Sequence, residues 1–181
     1  MSAFRRVSEE IRYRGPFLTV VGATFESPDG ERFEREFLRH LGAVAVVALV
    51  DDGRSALLVR QFRAAVGEEI LEIPAGLLDV EGEDRDTAVR RELEEEAGRV
   101  VTGELELLID YIPTAGMADH RVAIYLARTS EPCAARPHGP EEGHMTIESV
   151  PLADVPALIA AGRISDGKTI VGLLLARERL A

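Results

Sequence analysis

A single cysteine, Cys133, excludes an internal disulfide in this chain of 181 residues. Long apolar runs are missing as well. None approaches the roughly eighteen residues that a membrane-spanning helix needs, and the opening MSAFRRVSEEIRYRG lacks the apolar stretch of a secretory signal. A cytoplasmic protein is the expectation. Positive charge is the third shortage: 21 Lys and Arg stand against 32 Asp and Glu, a net charge of −11. That balance argues against a nucleic-acid backbone or an anionic membrane as partner. No internal repeat or low-complexity segment is visible. Apolar residues make up 46% of the chain and mean hydropathy is zero, enough for one ordinary domain with a small appendage.

What is present is a concentration of glutamate. Between Ile73 and Gly98 the chain reads IPAGLLDVEGEDRDTAVRRELEEEAG. At about 100° per residue, Val89, Leu93 and Ala97 form one apolar stripe. Glu92 and Glu96 border that stripe, and Glu95 falls one turn after Arg91, where an ion pair can form. A run of glutamates is more often a solvated face. Here, however, the carboxylates crowd the C-terminal turns, where the helix dipole favours cations, and Glu92 and Glu96 are a like-charge pair four apart. The cluster costs stability unless something positive sits in it, and hard divalent cations bind through such oxygen ligands. The spacing predicts a strand over Glu69–Ile73, a Pro-Ala-Gly turn, a loop, and a helix from about Asp84 to Ala97 closed by Gly98. The carbonyl of Ala75 could complete an oxygen ligand set.

These residues resemble the Nudix box, G-x5-E-x7-R-E-U-x-E-E-x-G-U, where U is a bulky apolar residue. Glu83, seven intervening residues and then Arg91-Glu92-Leu93-Glu94-Glu95-Glu96-Ala97-Gly98 match it closely. Gly76 precedes Glu83 by one residue too many, and Arg99 stands at the last apolar position. GLLDVEGE is similar to a variant of the ADP-ribose pyrophosphatase branch. The resemblance implies an α/β/α sandwich with a mixed sheet, preceded by a small N-terminal β appendage over residues 1–40, with the Nudix domain over 41–181. It implies Mg²⁺, or Mn²⁺ in its place, held by Ala75, Glu92, Glu95 and Glu96. The reaction would be hydrolysis of a nucleoside diphosphate linked to X, ADP-ribose first. Another nucleotide sugar, a dinucleotide, or a non-catalytic sensor of such ligands are the alternatives. A bound cation would also reconcile the acidic chain with an anionic substrate.

The same resemblance assigns roles along the chain. Arg60-Gln61-Phe62-Arg63 is similar to the branch's Q-[YF]-R, and a guanidinium suits a diphosphate; a structural ion pair is the alternative for Arg63. Glu72 resembles the glutamate of E-[LIF]-P-A-G, which would contact metal-bound water or ribose, or cap a strand. Leu77 and Met117 are further substrate contacts by position. Arg35-Glu36-Phe37 resembles a segment that reaches the partner's pocket in a homodimer; a surface basic residue on an edge strand is the alternative for Arg35. Arg91 would orient Glu95, the catalytic carboxylate of the box. The general base is placed on the loop over 136–144, with Glu142 first and Glu141 second; His120, His138 and His144 are alternatives by pKa. The segment Pro113–His120 departs from the branch's P-G-x-S-[DN]-E, keeping Gly116 and Asp119, and this puts ADP-ribose itself in question. Elsewhere, strand patterns cover Phe17–Phe25, Arg32–Leu38, Gly42–Val50, Ala56–Val59, Glu104–Tyr111, Val122–Ala127 and Met145–Val150. Helical patterns cover Leu152–Ala160 and Ser165–Leu180.

Overall fold

The structure, a computed structural model, describes residues 3–15, 18–133 and 143–181. It divides into two compact units: Met1–Gly42 with Ile112–Arg121, and Ala43–Tyr111 with Val122–Ala181.

The first unit is a three-stranded antiparallel sheet in the order β1 (Arg5–Arg14), β2 (Thr19–Glu26), β3 (Arg32–Arg39). The β2–β3 hairpin turns at Gly30, whose positive φ of 89° suits glycine. Strand β1 has no counterpart among the strand patterns of the sequence. Its residues, RRVSEEIRYR, are almost all exposed, so no buried face imposes an alternation. Backbone pairing with β2 makes it a strand. The segment 112–121 joins this unit through β3: Leu38 and Ala118 form a parallel bridge, Leu38 N donates to Met117 O at 2.8 Å, and Asp119 N donates to Leu38 O at 3.2 Å.

The second unit is built on a sheet of seven strands among the described residues. Strand order is β10 (Thr146–Pro151), β5 (Ser55–Arg63), β4 (Ala43–Val50), β9 (Val122–Arg128), β8 (Glu106–Tyr111); β6 (Glu68–Glu72) pairs β5 and β7 (Ala75–Leu77) pairs β4. Strands β4 and β9 run parallel, and the other pairs are antiparallel. The sheet is therefore mixed. GAVAVVALV is apolar throughout because β4 is covered on both faces. Val44, Val46 and Ala48 pack with Val89, Leu93 and Ala97 of helix α1 (Arg85–Ala97). Ala45, Val47 and Leu49 pack on the other side with Val155 of α2 (Val155–Ala160) and with Leu173 and Ala176 of α3 (Gly167–Leu180). Gly172 lets α3 approach the sheet, since a Cβ there would stand 3.1 Å from Ile73, Ile124 and Val47. The result is the α/β/α sandwich. Among the described residues no helix is long and apolar enough to cross a membrane.

Two expectations are corrected. Residues 75–77 are not a turn but a short strand, because Ala75, Gly76 and Leu77 pair with Ala45, Val44 and Ala43. The first C-terminal helix begins at Val155 and not Leu152. The Leu152 N–H is taken by the Arg54 carbonyl at 2.9 Å, and its side chain is buried.

Candidate active site

Helix α1 starts where Asp84 accepts from the Thr87 N–H at 2.9 Å, an N-cap bond. It ends at Gly98, left-handed at φ 56°, as a C-terminal glycine allows. Between these caps its apolar stripe is fully buried, which fixes the rotation of the helix. That rotation brings Glu92 and Glu96 to the edge facing β7. Glu96 is 7% exposed, and its Oε2 accepts the Ala75 N–H at 3.0 Å. Glu92 lies over Gly76: a Cβ built on that glycine would stand 1.8 Å from the Glu92 carboxyl carbon. The glycine ahead of the helix is thus required by side-chain volume, because any other residue would displace this carboxylate.

Arg91 supplies positive charge to the cluster. Its Nε and Nη2 fork onto Glu83 at 3.0 Å each, while Nη1 reaches Glu92 at 2.7 Å and Glu95 at 3.1 Å. The hydrogen bonds it donates to Glu83 come first among the causes that make the Arg91 guanidinium hold its proton more firmly than usual, with burial opposing and Glu92 adding. Arg91 in turn keeps the Glu83 carboxyl below its ordinary value. Spacing alone matches Glu83 to the box; in the structure it accepts the fork of Arg91. Among the described residues no group of three or more His, Cys, Asp or Glu side chains stands together as a metal site. The donors at hand are nevertheless all oxygens: Glu92, Glu95, Glu96 and the adjoining Ala75 backbone, a set that suits Mg²⁺ or Mn²⁺. The space kept open by Gly76 is what lets the Glu92 carboxylate lie at this edge.

Beside this cluster lies a second set of charges. Arg63, at the end of β5, forks onto Glu72 through Nε and Nη2 at 2.7 and 2.8 Å. Glu72 is 2% exposed and also receives Lys168 Nζ. Burial would raise the Glu72 carboxyl, but Arg63 and Lys168 together bring it below its ordinary value. The structural ion pair is thus what Arg63 makes here, with Nη1 left outside the fork. Lys168 also binds Asp166 at 3.0 Å, and Asp166 caps α3 by accepting from Thr169 N at 2.9 Å. Thr169 Oγ1 accepts from Ile73 N at 2.9 Å. Lys168, Asp166 and Thr169 are neighbours of this pair that the sequence motifs do not single out as site residues.

Leu77 sits on β7, 38% exposed. Arg35 and Met117 belong to the first unit. Arg35 lies 4.8 Å from the Phe33 ring and lines a cavity of about 500 Å³ with Phe25, Phe37 and Gly116. Met117 is exposed and holds Leu38 through its carbonyl. His120 packs its ring against His40, centroids 4.3 Å apart. Asp119 accepts from His40 N at 3.1 Å and from Arg39 Nε at 3.2 Å. Glu142, Glu141 and His138 lie outside the described residues, and His144 is exposed ahead of β10.

With this geometry in view, the chain matches the NUDIX domain family model over residues 39–171. It is 33% identical over 171 residues to an ADP-ribose pyrophosphatase of Mycobacterium tuberculosis, covering 94% of this chain and 82% of that protein. An ADP-ribose pyrophosphatase of Bacillus subtilis is 31% identical over 165 residues, 91% of this chain and 88% of the relative. A crystal structure described as an ADP compounds hydrolase shares the fold with a TM-score of 0.82 at 23% identity, covering 98% of this chain and 94% of the other.

Proposed function

The chain belongs to the Nudix family and is a hydrolase, and from that premise we propose that it splits the diphosphate bond of a nucleoside diphosphate linked to X. ADP-ribose, giving AMP and ribose 5-phosphate, is the first choice of substrate, in keeping with the names of the two relatives. The observation that carries the reading is the paired docking of Glu92 on Gly76 and Glu96 on Ala75. A helix that only needed a solvated acidic face would not bury Glu96 or reserve a glycine for Glu92.

In this reading Glu92, Glu95, Glu96 and the Ala75 carbonyl hold Mg²⁺, or Mn²⁺. The metal supplies charge neutralisation at the phosphates and a lowered pKa for attacking water. Arg91, anchored by Glu83, orients Glu92 and Glu95. Arg63 offers a guanidinium to a phosphate oxygen, its plane set by Glu72. Glu72 then acts by holding Arg63, and Leu77 adds an apolar contact. Glu142 accepts the proton of the attacking water, on the strength of the family resemblance. The first unit, with Arg35, would complete the pocket of a second copy in a homodimer. Deleting residues 1–38 is expected to give a monomer with a greatly raised KM; a truncated dimer with full activity would sink that part.

One observation favours a second reading, another nucleotide sugar or a dinucleotide. In the 113–120 loop, which includes Met117, the family-like Asp119 has both carboxylate oxygens engaged by Arg39 and His40. The experiment is a panel of nucleotide sugars and dinucleotides with Mg²⁺, scored for released nucleoside monophosphate. Fastest turnover is expected with ADP-ribose. A better substrate elsewhere on the panel selects the second reading, and no turnover on any member removes both.

A further inference from the structure

Lys168 is the only lysine in the chain; every other basic residue of the Lys and Arg set is arginine. It opens α3, and its ammonium sits between two carboxylates, Glu72 and Asp166. Its side chain is 15% exposed, against 39% for Arg63 and 3% for Glu72. Such a slot suits an ammonium, a compact point charge, better than a planar guanidinium. It also leaves Lys168 little surface with which to meet a ligand.

We propose that Lys168 is a positioning residue for diphosphate binding: acting through Glu72, it keeps the guanidinium of Arg63 available to a phosphate oxygen. The inference rests on the hydrolase reading above and adds a residue to it. Arg63 lies in the field of three carboxylates, Glu72 first, then Glu96 and Asp166. Left to these alone, the positive charge that should attract a diphosphate is largely spent on its own neighbours. Glu72 is the nearest and most buried of them, and its full charge would fall on Arg63 if nothing shared it. Lys168 shares it. The ammonium takes part of the Oε2 acceptor capacity, while the fork through Nε and Nη2 still fixes the plane of the guanidinium.

The frame is rigid from the other side too. Asp166 binds Lys168 and caps α3 with the same oxygen, Oδ2. Thr169, next to Lys168, accepts the N–H of Ile73, next to Glu72. The first turn of α3 therefore holds both the backbone and the side chain of the segment that leads to Ala75 and Glu96.

The test uses the full-length protein, with inorganic diphosphate in the presence of Mg²⁺ as the binding probe and the best panel substrate for kinetics. Lys168→Met is expected to weaken diphosphate binding about tenfold, the scale of one charge-assisted hydrogen bond. KM should rise to match, with kcat within about threefold, as for lost uniform binding. Lys168→Gln, which keeps a donor without the charge, is expected to show the same loss and serves if the methionine variant folds poorly. In a Glu72→Gln background the Lys168→Met substitution should have no further effect, because the two act as one unit. Unchanged diphosphate affinity in both Lys168 variants, or a lowered Tm alone, overturns the inference. So does an equal loss in the Glu72→Gln background, which would make Lys168 a direct ligand contact. Wild-type protein that binds diphosphate with this Lys168 dependence but hydrolyses no panel member overturns the function and leaves the inference standing. A wild type that binds no diphosphate overturns it.

Discussion

The paired charges of the first unit keep from a quarter to two-thirds of their side-chain surface in water, whereas in the second unit the decisive carboxylates lie under protein. Arg5–Glu26, Arg32–Glu26 and Arg39–Glu9 cross the three-stranded sheet at 2.8, 3.2 and 2.9 Å, with arginine side chains 65, 63 and 43% exposed. Arg6 and Arg39 lie over the Phe37 ring, and Phe25 stacks on Phe33 with centroids 5.7 Å apart. Pairs of this kind are exchangeable, since an exposed ion pair contributes about 0–1 kcal/mol. In the second unit Glu72 and Glu83 keep 3 and 8% of their side-chain surface, and each receives a forked arginine. A buried pair is no great source of stability, but losing one partner strands the other at a cost of about 3–5 kcal/mol. The difference teaches where precision is kept. Charges in the second unit set the geometry of Glu92, Glu95 and Arg63, while those of the first dress a sheet whose aromatic cavity is its own.

The sharpest way to break this contrast is to remove function from the second unit without unfolding it. Glu142→Gln is expected to lower kcat by about 10²–10⁴-fold, the range of a general base, with Mg²⁺ and ligand affinity kept. Glu141→Gln should cost less than about tenfold, short of that general-base range, and the opposite ranking moves the role to Glu141. Glu96→Gln should cost at least about a hundredfold at saturating Mg²⁺, the loss of a metal-held charge. Its amide oxygen can still accept the Ala75 N–H, so Tm should hold. Gly76→Ala should act alike: the methyl displaces the Glu92 carboxylate, the far end of a flexible chain, and the fold survives. Mg²⁺ should raise Tm less in both variants than in wild type; an equal rise would place metal binding elsewhere.

Stability then separates the units. Glu72→Ala should destabilise by roughly 3 kcal/mol, measured by urea unfolding, because Arg63 and Lys168 lose their buried partner. Glu26→Ala, at the exposed pair, should leave the urea midpoint unmoved. Comparable losses at both positions would erase the distinction drawn above.

The smallest effect expected is on pH. Burial first, then His120, depress the His40 imidazole below its ordinary value of 6.5, with Asp119 opposing. A depressed folded value means that this stabilisation is complete above pH 6.5 and is lost as pH falls through the folded value. The Glu72 carboxyl is also depressed, from an ordinary 4.5, so its contribution is complete above that pH and goes only in stronger acid. On acidification the amides of Leu38 and Asp119 should lose hydrogen-exchange protection before that of Ile73. The reverse order would refute the assignment of the acid-sensitive joint to the first unit.

Read alone, the sequence determined helix α1 with its caps, the apolar strand β4, the carboxylate cluster and the family to which the box belongs. These are local matters: an i,i+4 repeat, an N-cap, a left-handed glycine and an apolar run all act within a few residues. Only the tertiary structure decided the rest. β1 became a strand through its pairing with β2, β7 through Ala45, Val44 and Ala43, and the 112–121 segment joined the first unit through Leu38. The reason Gly76 must be glycine lies sixteen residues away in Glu92, and that of Lys168 lies ninety-six residues away in Glu72. Burial gives such contacts their strength, and burial is a property of the packed sheet and helices that no short window of residues contains.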